Sequence, residues 1–164
     1  MPILFRDAYD TPKGGRLHII RVPVDPGREW QEAVTASGPD TDSDWDVRKV
    51  GDKYPPQPGG LKEREIILVN FGNTVFTQYT LDWAKPIGLR PEGPRGVFAV
   101  GEHKPQLHRE LNVEAMAVIS PEPCAFEGKA RVCRVWWGTS RRLARLDWFE
   151  YTYADGCWFA FSRE

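Results

Sequence analysis

The 164-residue sequence has no long hydrophobic run; its longest aliphatic stretch is Ile66-Ile67-Leu68-Val69. A membrane-crossing helix needs about 20 apolar residues, so none is expected. The first residues carry no signal-peptide pattern, and the cytoplasm is the expected location. Cysteine is scarce: Cys124, Cys133 and Cys157 stand alone, without a Cys-x-x-Cys pairing. That spacing argues against a zinc site, and without export the thiols are expected to stay reduced and buried as small hydrophobes. Charge of one sign is also lacking. The formal net charge is -1, so no global field draws the protein to nucleic acid or an anionic membrane. Any such contact must rest on a local patch. The sequence holds no P-loop, no Gly-x-Gly-x-x-Gly and no Gly-x-Ser-x-Gly. No cofactor and no metal are expected.

What is present is the composition of an ordinary globular chain, 41% hydrophobic and 27% charged, with a length that fits one domain over residues 1–164. Residues 16–24 read as a strand closed by Asp25-Pro26-Gly27. Arg28 to Ala36 reads as a short helix with Trp30, Ala33 and Val34 on one side and Gly38-Pro39 as its stop. Tyr54 to Gly60 is a Pro- and Gly-rich connector within one domain. Glu65 to Phe71 is a strand covered on both faces. Asn73 can cap a helix reaching about Lys85, with Phe76, Tyr79, Trp83 and Leu81 toward the core. Pro91 to Pro94 is a turn. A short helix follows through Val97, Phe98 and Val100, and another starts at Pro105 and ends near Asn112. Four strands close the chain: residues 115–120, 130–137, 143–153 and 158–161. Helices mixed with strands early, then a run of strands, predict an α+β fold. Its sheet should be mainly antiparallel, with a C-terminal meander and a few short helices packed on it.

Three segments can carry chemistry. With Pro105 opening a helix, His103 and His108 fall where a hydrophobic staple meets, with Glu102 or Glu110 nearby. This supports either a metal-dependent or hydrolytic site on Glu102, His103 and His108, or a purely structural contact. The acidic run Asp40 to Asp46 resembles a calcium loop only until its frame is tested. Counted from Asp40, the position that wants glycine is Trp45 and the twelfth is Gly51; the frame from Asp42 fails as well. A solvated loop is the better reading.

The third segment is the sheet near the end of the chain. The Gly138–Arg141 loop sets Trp136 opposite Leu143 and Arg134 opposite Arg145. The Asp155-Gly156 turn sets Trp158 opposite Tyr153 and Ala160 opposite Tyr151. One face then carries Cys133, Val135, Trp137, Ala144, Leu146, Trp148, Phe159 and Phe161, a core. The other carries Arg134, Trp136, Arg145, Asp147, Phe149, Tyr151, Tyr153 and Trp158. Opposed arginines repel unless an anion or carboxylate lies between them. This face therefore suits an anionic ligand, a nucleic acid strand or an acidic protein partner. The alternatives are a face covered by the protein's own helices, or a homodimer interface.

Residues 46–162 resemble a family of small bacterial proteins. The segments that carry the resemblance are Val50-Gly-Asp-Lys-Tyr-Pro-Pro56, Leu68-Val-Asn-Phe71, Phe98 to Leu111, Val135-Trp-Trp-Gly138 and Gly156-Cys-Trp-Phe-Ala-Phe161. The resemblance implies bacterial origin and one intact domain, and it supplies no catalytic residues. The sequence as a whole predicts a non-enzymatic binding module that uses Arg134, Trp136, Arg145, Tyr151, Tyr153 and Trp158.

Overall fold

The computed structural model describes residues 12–41 and 46–163. In chain order the strands and helices are β1 (Arg16–Val24), α1 (Trp30–Ser37), β2 (Lys62–Asn70), β3 (Val75–Phe76), α2 (Thr77–Ala84), β4 (Leu89–Pro91), α3 (Pro94–His103), α4 (Leu107–Glu110), β5 (Met116–Ile119), β6 (Cys124–Phe126), β7 (Lys129–Trp137), β8 (Arg142–Trp148), β9 (Thr152–Tyr153) and β10 (Cys157–Arg163). A 3₁₀ segment, Asp46–Lys53, precedes β2. The fold is α+β: a large, mostly antiparallel sheet with a few short helices packed on it. The calcium frame of the acidic loop falls on residues 42–45, which lie outside the described residues.

The meander is β6-β7-β8, each strand antiparallel to the next. The register read from the Gly138–Arg141 loop is present, with Arg134 opposite Arg145 and Trp136 opposite Leu143. β10 leaves the meander. Along one edge it pairs antiparallel with β2, and along the other it pairs parallel with β5 and antiparallel with β4. It thereby joins the β1–β2 hairpin to the β5–β8 unit.

β2 is buried on both sides, as its unbroken aliphatic run requires. Ile66 and Leu68 enter one core, with Trp30, Val34, Val97, Phe98 and Trp137. Ile67 and Val69 enter a second, with Phe71, Ala84, Tyr153, Phe159 and Phe161. The first core lies under α1 and α3, the second under α2 and the β3–β9 ribbon.

α1 buries Trp30, Ala33, Val34 and Ser37, one helical stripe. The Glu29 carboxylate accepts the Glu32 amide at 2.7 Å and caps its start, and the chain leaves the helix at Gly38. α3 opens with Pro94 in its first turn and runs beneath α1. Gly101 makes that approach possible, because a Cβ there would collide with the Ser37 carbonyl oxygen.

Four expectations are corrected. α2 begins at Thr77, not after Asn73, because Val75 and Phe76 pair with β9 as a short ribbon. Its buried face is then Thr77, Thr80 and Ala84, while Phe76 and Tyr79 are 53% and 55% exposed. The strand expected over residues 143–153 breaks after Trp148, and Tyr153 donates its hydroxyl to the Trp148 carbonyl across the turn. Asp155-Gly156 does turn the chain, but β10 emerges beside β5 instead of residues 151–153, with Trp158 opposite Val118. With these different partners β10 presents the opposite faces: Trp158 enters the first core and Phe159 and Phe161 the second. Finally, only Cys133 is buried; Cys124 and Cys157 are half-buried, and all three thiols are free.

Candidate ligand-binding cleft

The arginine–aromatic face is divided by these changes. Arg134, Trp136, Arg145 and Asp147 share it, by strand alternation and register. Arg134 Nε stands 2.6 Å from Asp147 Oδ2, with the two side chains 18% and 19% exposed. This is an ion pair, though off hydrogen-bond alignment. The carboxylate expected between the opposed arginines is thus supplied by the protein itself. Arg131 lies over the Trp148 ring at 4.4 Å, and Tyr151 stays exposed beside that ring. Tyr153 is buried in the second core, and Trp158 lies on the opposite side of the sheet.

The histidines separate as well. α3 runs through His103, and α4 starts only at Leu107, with Gln106 at its N-cap. Pro105 therefore precedes the cap, and His108 is the second residue of α4 instead of a staple partner. His103 lines a recess of about 340 Å³ with Glu102, Arg28 and Glu32. Its Nε2 lies 3.5 Å from Glu102 Oε1, which also accepts from Arg28 at 2.6 Å. His108 lines a different recess, with Trp137, Asp40 and Arg142. Burial and the neighbouring Arg109 hold His108 below the ordinary histidine pKa. Among the described residues, no group of three His, Cys, Asp or Glu side chains is placed to hold a metal ion.

A third recess is larger, about 640 Å³, and sequence reasoning did not single it out. It forms where the end of β1, the Tyr54–Gln57 connector, the start of β2, β4, the first turn of α3, the β5–β6 loop and the end of β10 converge. Its apolar lining comes from Val24 and the rings of Pro26, Pro55, Pro91, Pro94 and Pro123. Its polar lining includes Lys53, Gln57, Arg64, Arg90, Glu92 and Glu122.

Glu92 is the most constrained of these groups. Its amide donates to the Ala160 carbonyl at 2.9 Å, and its carbonyl accepts from the Ser120 hydroxyl at 2.6 Å. β10 and the end of β5 thus fix its backbone. Its side chain, 3% exposed, turns back over the start of α3. Oε2 accepts from the Gly93 amide at 3.2 Å. Oε1 lies 3.1 Å from Arg64 Nε, again in ion-pair range but off hydrogen-bond alignment, and no other group bonds to it. Gly96 leaves room for this arrangement: a Cβ there would stand 2.5 Å from Glu92 Cγ.

Burial raises the pKa of Glu92 to about 7, with Glu122 adding to the rise and Arg64, the Gly93 amide and Arg90 opposing it. Burial also raises that of Glu122. The opposite wall is rigid. The Tyr54 ring stacks on Trp30 with centroids 5.4 Å apart, and its hydroxyl donates to the Glu122 carbonyl at 2.8 Å. Arg95 donates to the carbonyls of Tyr54 at 2.6 Å and Arg28 at 2.8 Å, and lies over the Trp30 ring. Its charge is held in the wall, whereas Arg64 is 39% exposed and reaches the opening.

The sequence does carry a trace of this site. Pro91-Glu-Gly-Pro94 places an acidic residue beside a proline that opens a helix, where a carboxylate meets the first amides. What it does not show is the burial of that carboxylate, which depends on segments from both ends of the chain. No family model, curated protein or solved structure matches the chain, so the resemblance over residues 46–162 stands on the quoted segments alone.

Proposed function

We propose that this protein is a non-enzymatic binding module, and that it holds a small organic carboxylate in the Glu92 cleft. The observation that carries the reading is the Arg64–Glu92 pair, a part-exposed guanidinium held at the opening by a buried carboxylate. A ligand carboxylate has the charge and planar fork of the group Arg64 already faces. The proline rings offer an apolar wall for the rest of such a molecule, the usual division of labour in small-molecule sites. Lys53, Arg64 and Arg90 give the lining its positive bias over Glu92 and Glu122. Three unpaired thiols are in keeping with a reducing compartment such as the cytoplasm. Among the described residues, no helix is long and apolar enough to cross a membrane.

The test is titration with benzoate, succinate and inorganic phosphate, followed by calorimetry and amide chemical shifts. Benzoate should move the amides of Gly93 and its neighbours. Arg64→Ala should weaken its binding by about 10- to 100-fold, the loss of one charge-assisted hydrogen bond. Absence of carboxylate binding at millimolar concentrations, or binding indifferent to Arg64→Ala, would refute the proposal. Tighter binding of phosphate than of either carboxylate would reassign the ligand class.

A second reading rests on the smaller recess, where His103, Glu102 and Arg28 form a chain of contacts suited to acid–base chemistry. Hydrolysis of ester or phosphoester probes that is lost in both His103→Ala and Glu102→Gln would favour this enzyme over the module.

A further inference from the structure

We infer that carboxylate binding in the cleft is coupled to the uptake of one proton by Glu92. The inference rests on the reading of the cleft as a carboxylate site and adds how that site is controlled. Arg64 Nε lies 3.1 Å from the Glu92 carboxylate and is the largest favourable charge on it, with Arg90 adding less. A ligand carboxylate that engages Arg64 competes for that charge. It also brings a second negative charge next to a carboxylate that is already buried. Two like charges at one site cannot both stay ionised at low cost. Glu92 yields because its ionised form is already close to its limit, with a pKa of about 7 in the free protein.

The proton has a defined place. Oε2 accepts from the Gly93 amide and keeps its lone pairs, whereas Oε1 has no hydrogen-bond partner. A proton taken from solvent adds to Oε1 and makes it a donor. The neutral carboxyl stays buried beside Gly93, and Arg64 is released to face the ligand. One proton leaves the water and one neutral carboxyl forms; no other bond is made or broken. The site thereby loses the buried negative charge that competes with the ligand for Arg64.

The other charged groups around Glu92 do not replace it in this role. Arg90 on β4 and Arg64 on β2 both act on Glu92 by favouring its ionised form. Arg95 in α3 is engaged by two carbonyls. The Tyr54 phenol is pushed further up by burial. Lys53 lines the opening. Glu122, in the β5–β6 loop, is also raised by burial, and its charge adds to the rise at Glu92.

The experiment is calorimetric titration of the intact protein with benzoate, which stays ionised above about pH 6, in paired buffers of different ionisation enthalpy. The wild type should take up little proton at about pH 6, where Glu92 is already protonated, and close to one proton at about pH 8. Over the same span its affinity should fall, approaching tenfold per pH unit at the alkaline end. Glu92→Gln should bind benzoate with no such uptake and no such fall, and Glu110→Gln, on α4 and outside the cleft, should keep both. Carboxyl carbon shifts of the wild type give a readout independent of any variant: saturating benzoate should move the Glu92 titration to higher pH. Benzoate binding with equal affinity at both pH values and no buffer-dependent heat would overturn the coupling and leave the carboxylate site standing. Absence of benzoate binding at either pH would overturn the site itself and the coupling with it.

Discussion

Replacing Glu92 by glutamine should make the protein more stable, and only above the acidic range. The unfolded chain titrates this carboxyl near 4.5, the folded chain near 7. Between those values the folded state holds more proton than the unfolded state, so stability falls as pH rises through the window. Above the folded value the group is ionised in both states and the loss is complete. At 1.36 kcal/mol per pKa unit the change is worth about 3 kcal/mol. Because Glu92 is nearly fully buried, solvent screening takes little from that figure. Glutamine keeps the volume and a hydrogen-bonding head, and it has no charge to bury. Arg64 loses its partner but can be hydrated, since its side chain is 39% exposed. The net gain for Glu92→Gln at about pH 8 should therefore be about 2 kcal/mol, falling to near zero at about pH 5. Urea unfolding followed by tryptophan fluorescence across this range measures it. Glu122, raised by burial, has the same sign of pH dependence, whereas His18 and His108, lowered by burial, have the opposite sign. The difference between variant and wild type cancels the two histidines, while Glu122, which interacts with Glu92, changes in the same direction as Glu92 itself. A difference that is flat with pH, or a variant less stable at pH 8, would show that burial does not govern this carboxyl.

Three further outcomes follow from the packing. Asp147→Ala should cost about 2–4 kcal/mol, because it leaves Arg134 mostly buried and opposite Arg145; a double-mutant cycle with Arg134→Ala should show the two effects to be strongly non-additive. Gly101→Ala should cost about 1–3 kcal/mol through overpacking against Ser37, although alanine in place of a helical glycine would otherwise gain about 1 kcal/mol; a stabilised variant in chemical denaturation would contradict the close approach of α1 and α3. Thiol labelling followed by peptide mapping should modify Cys124 and Cys157 before Cys133, which should react only on unfolding; early labelling of Cys133 would remove it from the core.

Features set by neighbours in sequence were legible, and those set by distant segments were not. The Ile66–Val69 run announces a strand buried on both faces. The four-residue loop at Gly138–Arg141 fixes the β7–β8 register without reference to the rest of the chain. Asp155-Gly156 is an equally good local turn signal, yet β10 pairs with strands far away in sequence because β2 and β5 each present a long apolar edge to it. Pro105 was read as a first helical residue; Gln106 takes the cap instead and the two histidines part. The cleft was the least legible feature. Its parts read as a connector at Tyr54 and a turn at Pro91, two ordinary loops. Only the fold brings them over one carboxylate.

The position of β10 also bears on how the protein is made. β1, β2 and the β5–β8 unit are all synthesised before residue 157. The hairpin and the unit then have no strand between them, and Ile67, Leu68 and Val69 lie along an open edge able to recruit a strand from another molecule. A chain that lacks β10 is exposed to aggregation through that edge. A product that stops short of β10 lacks more than one strand: the two cores have no common wall, and the backbone of Glu92 loses its Ala160 acceptor. Loss of β10 is therefore expected to open both cores at once and not to shorten the sheet by a single strand.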